Sequence, residues 1–278
     1  MGRFGWTIYG YPLGDAAVCS GFNRPSAHVL FDRPPDWRIS TVRSVYMSWF
    51  SFNYGEWRAS SDDISNAAIT ITVDGFAIEC RLLCTPSPPA RFNREIANSP
   101  WFENAALVVA RHRRRVFLSP AETLRDWAGA PHDVRLQAMR AMSKVTAAFA
   151  LLGDASAVIW PLSETIWTPR TAALAAHDWL PTLYWVRARV NQQRGLDGEP
   201  IFTASSSGLS ALAGCEVAVR ATEEAGRRQV ARTLTNLISD LVQRGPDGAE
   251  DLARARHSWR SALRATSVGA GMSVELVR

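Results

Sequence analysis

The sequence predicts an α+β protein of mostly antiparallel sheets packed by amphipathic helices, and three observations carry that reading. Residues 68–73 and 76–83 alternate apolar and polar side chains around Asp74-Gly75, the pair that suits a two-residue type I′ hairpin. Apolar residues recur at helical spacing at Val134, Ala138, Ala141, Met142, Val145, Phe149 and Leu152, and again at Val230, Leu234, Leu237, Ile238, Leu241 and Val242. Each half of the chain offers strands, a short helix, more strands and one of these long helices. This suggests two related α+β halves, residues 1–153 and 154–278, either tightly packed or fused in one domain, since no flexible linker separates them.

Taken in order, residues 28–32 (HVLFD) read as a first strand, stopped by Pro34-Pro35. The aromatic run at 46–57 has no clear period, and residues 53–55 look like a turn. In the hairpin, Val73 should face Phe76, Ile71 should face Ile78, and Ile69 should face Cys80, all on one sheet face. Thr70, Thr72, Glu79 and Arg81 then fall on the other, partly solvated face. The prolines after Cys84 end the second strand. A short helix is expected over 91–98, a turn near 101–106, and a strand somewhere in 106–119. A helical turn over 122–127 precedes the helix opened by Pro131 and Asp133, and Gly153 stops that helix.

Residues 157–160 read as a buried strand ended by Pro161. Thr168 caps a short helix with Pro169 at its first position, where a missing N–H costs nothing. A strand over 183–190, a turn at 195–198, a short strand at 201–203 and a serine turn at 205–207 follow, then a strand at 215–220. Thr222 caps the last long helix with Glu223 and Glu224 in its positive first turn, and Gly245-Pro246 ends it. Residues 257–266 and 272–277 look like closing strands.

In its second half the chain carries Ala157-Val158-Ile159-Trp160-Pro161, Leu180-Pro181, Leu183-Tyr184-Trp185-Val186, Asp197-Gly198, Phe202-Thr203, Gly208-Leu209 and Glu216-Val217. This pattern, best over residues 180–245, resembles an uncharacterised bacterial family catalogued as domain of unknown function four-two-six-one. The sequence departs from the pattern by extra residues around Ser205 to Ser207. The resemblance implies a small bacterial cytoplasmic protein. It brings no activity and no catalytic residues, although some such families accompany toxin, secretion or defence systems.

Composition bounds the function classes. With 278 residues, 47% of them hydrophobic, the chain can bury a substantial core. No apolar run approaches the roughly 20 residues that span a bilayer, and the first residues lack the basic and apolar regions of a secretory signal. A cytoplasmic protein without membrane insertion is expected. The net charge is +5, yet the only lysine is Lys144, and arginine supplies every other positive side chain. With one basic run and no aromatic–basic recognition motif, nucleic-acid binding is not expected. Cys19, Cys80, Cys84 and Cys215 have neither disulfide-framework nor zinc spacing, so no metal and no cofactor are expected.

No phosphate loop, dinucleotide fingerprint, H-E-x-x-H or nucleophile elbow occurs. Ser205 to Ser207 with His177 and Asp178 can be drawn as a triad, but the serines are better read as a turn. No catalytic residue is assigned. Two candidate surfaces remain. On the strand expected at 183–190, Trp185, Arg187 and Arg189 share a face, with Trp167 and Trp179 nearby; this is either a binding surface or a sheet face with paired arginines. Arg111, Arg113, Arg114 and Arg115 form either an anion patch or a solvated strand end. The expectation is a non-enzymatic bacterial protein that binds another protein as an immunity, adaptor or accessory component of a secretion, toxin or defence system. The alternative is an enzyme or small-ligand binder with a site between the halves.

Overall fold

The architecture is α+β. The computed structural model describes residues 24–33, 38–50, 57–60, 68–121, 126–178, 180–194, 200–221, 226–254 and 272–277. The described residues fall into two compact units, one of Arg24–Tyr184 and one from Trp185 onward.

The first unit is built on a seven-stranded antiparallel sheet of β1 (Ala27–Phe31), β2 (Arg58–Ala59), β3 (Ala68–Val73), β4 (Phe76–Leu83), β5 (Arg114–Pro120), β6 (Ala155–Trp160) and β7 (Thr165–Trp167). Their spatial order is β2-β3-β4-β5-β1-β6-β7. The β3–β4 hairpin has the expected register, with Val73 opposite Phe76, Ile71 opposite Ile78 and Ile69 opposite Cys80. Asp74 and Gly75 both take positive φ (52° and 80°), as a type I′ turn requires. Ile69, Ile71, Val73, Ile78 and Cys80 are buried, and burial pushes the Cys80 thiol pKa well up. On the opposite face Arg81 pairs with Glu79 at 2.6 Å.

One face of this sheet is covered by α4 (His132–Ala150), which packs against β1, β3, β4, β5 and β6. The predicted apolar stripe is buried from Ala138 to Leu152, but so are Ser143, Thr146, Ala147 and Ala148. The second contact surface comes from α1 (Ile39–Trp49) and α5 (Pro169–Ala175), which pack against α4. Ser143 and Thr146 satisfy their hydroxyls by donating to the carbonyls of Met139 and Met142. Lys144 closes a 2.5 Å ion pair with Asp74, tying helix to hairpin turn.

The opposite face is covered at β1, β6 and β7 by a 3-10 turn (Pro89–Phe92), α2 (Asn93–Ala97) and α3 (Ala105–Arg111). Leu30, Ala157, Ile159 and Ile166 from the strands meet Phe92, Ala105 and Val109 there. Thr168 caps α5, accepting from the Thr171 N–H at 3.2 Å.

In the second unit, a four-stranded antiparallel sheet joins β8 (Arg187–Arg194), β9 (Pro200–Ser207), β10 (Glu216–Ala221) and β11 (Met272–Val277) in the order β11-β10-β9-β8. The long helix α8 (Arg227–Arg254) packs on β8, β9 and β10, and its predicted stripe from Val230 to Val242 is buried. Gly245 is non-helical (φ 62°, ψ −141°), so Gly245-Pro246 ends the first helical stretch as expected, but a second one continues to Arg254 in place of a loop.

Several expectations are corrected. The boundary at Gly153 falls inside the first unit, because β6 and β7 complete its sheet. The strand expected somewhere in 106–119 is there as β5, and the apolar residues before it form α3. Residues 182–185 form a helical turn, α6 (Thr182–Trp185), so the next strand starts at Arg187 rather than 183. Ser205 to Ser207 continue β9 instead of turning. Chain reversal comes later, at Gly208 (φ 100°), before α7 (Ser210–Ala213) and Gly214 (φ 73°). The turns expected at 53–55 and 195–198, the helical turn at 122–125, the Thr222 cap, the strand at 257–266 and Cys19 lie outside the described residues.

Candidate functional site

The two candidate surfaces drawn from sequence are rearranged by the fold. Trp185 belongs to α6 and is buried, and Arg187 is buried with its Nη2 donating to the Ser207 hydroxyl at 3.3 Å. Only Arg189 is exposed, its Nε held by Asn191 Oδ1 at 3.1 Å. The expected line of one tryptophan and two arginines therefore does not form, because the backbone is helical where the tryptophan stands. Trp179 lies outside the described residues.

The arginine run is split as well. Arg111 ends α3 and is exposed, as is Arg113. Arg114 donates to the Cys84 carbonyl, while Arg115, one residue on, points to the other sheet face and is buried. The buried His112 between Arg111 and Arg113 accepts from the Ser87 N–H at Nε2 (3.0 Å) and sits against the Val109 carbonyl through Nδ1, which defines the neutral Nδ1–H tautomer.

The paper triad also dissolves. The His177 ring packs on Trp49 and Phe50 (5.2 and 4.8 Å). Ser206 donates to the Glu216 carboxylate at 2.5 Å and accepts from the Val217 N–H. That carboxylate also accepts from the N–H groups of Gly208, Leu209 and Ser210, so the serine strand serves to hold the reversal. Among the described residues no group of three His, Cys, Asp or Glu side chains is arranged to hold a metal ion, and no helix is long and apolar enough to cross a membrane.

Of the predicted residues, Trp167 has the most telling surroundings. It ends β7, the edge strand of the seven-stranded sheet. A chain of rings runs outward through it: Trp160 to Tyr184 at 4.8 Å, Tyr184 to Trp167 at 5.9 Å, and Trp167 to Trp101 at 5.4 Å. Trp160 and Tyr184 are fully buried, Trp167 is half-buried, and Trp101 is 50% exposed. Trp101 comes from the segment between α2 and α3, which covers the opposite face, and so wraps the sheet edge.

The wrapping is held by hydrogen bonds that cover β7. Ile166 stands opposite Ile159 with its N–H and carbonyl turned outward. Its N–H donates to Ser99 Oγ at 2.7 Å, and its carbonyl accepts from Trp101 Nε1 at 3.2 Å. This blunts an edge that would otherwise pair with another strand. The indole of Trp167 is fixed equally, donating to Thr165 Oγ1 at 2.9 Å, which contacts Ser163 Oγ at 2.7 Å. The β6–β7 turn is pinned from α2: Glu164, at a left-handed φ of 51°, accepts from Asn98 Nδ2 at 3.1 Å and pairs with Arg94 at 3.6 Å. Both exterior tryptophans thus have their polar N–H groups satisfied internally and leave apolar ring surface outward.

The other exposed large apolar side chains among the described residues are Leu107 on α3, Leu174 on α5 and Leu183 on α6, 46, 53 and 62% exposed. Leu107 and Leu174 stand on the helices that follow Trp101 and Trp167 in the chain, and Leu183 directly precedes Tyr184 on α6. Sequence reasoning singled out Trp167 but not Trp101, whose partner lies 66 residues further along the chain; no local signal joins them. Compared with known proteins, the chain matches no family model, no curated protein and no solved structure.

Proposed function

We propose that this is a non-enzymatic protein-binding protein whose docking surface is centred on Trp101 and Trp167. The observation that carries the reading is the pair of indoles whose N–H groups are bonded within the protein while ring surface faces solvent. Tryptophan is among the residues most enriched at binding hot spots, because it presents a large area on few rotatable bonds. Here most of the ordering cost is met before any partner arrives, since both rings are already stacked and tethered. The half-exposed Trp101 would be covered by an apolar pocket of the partner, with Arg94 and Glu164 at the polar rim. An immunity, adaptor or accessory role in a bacterial toxin, secretion or defence system belongs to the same proposal and rests on the resemblance carried by residues 180–245.

The test uses the full chain and its Trp101→Ala variant as baits in extracts of the native host, with quantitative mass spectrometry. The protein enriched by the wild type is then purified for a direct Kd. Truncating a central hot-spot residue costs about 2–4 kcal/mol, so Kd should rise roughly 30-fold to 1000-fold. A folded variant that holds the same partner with unchanged Kd refutes the assignment of the surface.

A further inference from the structure

We propose that Arg115 anchors a binding site for a phosphate-class oxyanion where β5 and β1 meet the 3-10 turn at Pro89–Phe92, with Arg91 as its second cation. Arg115 stands opposite Leu30 of β1 and Leu83 of β4, on the face that the 3-10 turn, α2 and α3 partly cover. Phe117, two residues on, shares that face and stands opposite His28. The His28 ring in turn touches Phe117 at 5.1 Å and Phe92 at 5.6 Å. Arg91 immediately precedes Phe92, is exposed, and its charge acts on both Arg115 and His28.

The cluster is short of negative charge. Arg115 is only 8% exposed, and its Nε and Nη1 have no hydrogen-bond partner among the described residues. A guanidinium cannot shed its proton, so a buried one calls for a counter-charge. The carboxylates of the neighbourhood do not supply it. Glu79 is taken by Arg81. Glu95 of α2 is buried with Oε2 unpartnered, and it forms no ion pair with Arg115. His28 Nδ1 and Ser87 Oγ, both buried, are likewise without partners. The groups that act on Arg115 across this cluster, Arg91 and His28, supply no negative charge. An oxyanion with several acceptor oxygens answers that set, and the forked guanidinium matches its geometry. The electrostatics agree: the His28 imidazole is held down at about 3 by burial first, then by the charges of Arg115 and Arg91.

The experiment titrates the full-length protein with inorganic phosphate and, separately, with phenyl phosphate, following thermal unfolding against sodium chloride at matched ionic strength. Phosphate at tenfold over its Kd should raise Tm by about 3–6 °C. Arg115→Met should abolish the response, and Arg91→Ala, at the exposed margin, should weaken binding about two- to fivefold. Trp101→Ala should leave the response intact, so the outcome is independent of the protein-docking surface. Tighter binding of the free ion identifies a free oxyanion as ligand; tighter binding of the monoester identifies the phosphate group of a larger molecule. A phosphate response equal to that of chloride, or one surviving in Arg115→Met, overturns the site. Should Arg115→Met fail to fold, unchanged phosphate affinity in Arg91→Ala overturns it instead.

Discussion

Replacing His28 with leucine removes an imidazole that the fold keeps neutral, and the consequence is a change in acid sensitivity. His28 is 4% exposed between Phe117 and Phe92, its Nδ1 has no partner, and burial, with the charges of Arg115 and Arg91, lowers its pKa from 6.5 to about 3. In the unfolded chain the same imidazole titrates near 6.5. Below that pH the unfolded state takes a proton that the folded state refuses, so stability falls progressively as pH drops from about 6.5 to about 3. At pH 4.5 the unfolded imidazole lies roughly two units below its pKa, and at about 1.4 kcal/mol per unit the loss from this one group is about 3 kcal/mol. Glu95 acts in the opposite sense. Burial raises its pKa, so its contribution improves as pH falls through the carboxylate range, and it is common to both proteins. Urea unfolding at pH 7.5 and pH 4.5 therefore reads the His28 share as a difference of differences. The wild type should lose about 3 kcal/mol more than His28→Leu between the two pH values. Equal losses, or an NMR titration in which the His28 ring protonates near pH 6, would refute the buried neutral imidazole.

Glu216→Gln should cost about 2–3 kcal/mol in urea unfolding, because its carboxylate accepts from Ser206 Oγ and three backbone N–H groups, and an amide presents donors to donors. A loss below about 0.5 kcal/mol would mean that these bonds do not hold the β9–α7 reversal. Tyr184→Phe should cost about 1 kcal/mol, since the buried hydroxyl interacts with the Trp160 indole, which the variant leaves without an acceptor, while the ring contacts with Trp160 and Trp167 persist; an unchanged Tm contradicts this. Gly75→Ala should cost about 1 kcal/mol through its φ of 80° alone, as nothing lies within 4 Å of the added Cβ. Calorimetry showing no loss would argue against the type I′ turn.

The parts of this fold that were legible in the sequence are those fixed by local pattern. The β3–β4 hairpin follows from alternation plus Asp74-Gly75, and its register needs no information from elsewhere in the chain. The buried stripe of α8 and the Thr168 cap are equally local. Short apolar runs were ambiguous: residues 105–111 are long enough for either a strand or two helical turns, and packing of Ala105 and Val109 against Leu30, Ala157 and Ile159 decides for the helix. At Trp185 the pattern 183–190 alternates acceptably for a strand, yet the chain makes a helical turn after Pro181 first. The serines 205–207 suit a turn by composition, but Glu216 and Arg187 satisfy Ser206 and Ser207 within the sheet.

The candidate sites were less legible because each is assembled across distant segments. β7 has three residues and no pattern of its own; it is defined by pairing with β6 and by Ser99 and Trp101 on its outer edge. Arg115 was visible as part of a basic run, but alternation sends it and Arg114 to opposite faces. Its true neighbours, His28 and Arg91, arrive through the β1–β5 pairing and the 3-10 turn.

The central claim is that Trp101 and Trp167 form a preorganised docking surface. The most direct measurement is the Kd of the purified native partner for wild-type protein and for Trp101→Ala, with Tm recorded for both. The account predicts a Kd raised roughly 30-fold or more at a Tm that still leaves the variant folded. An unchanged Kd in the folded variant would contradict it.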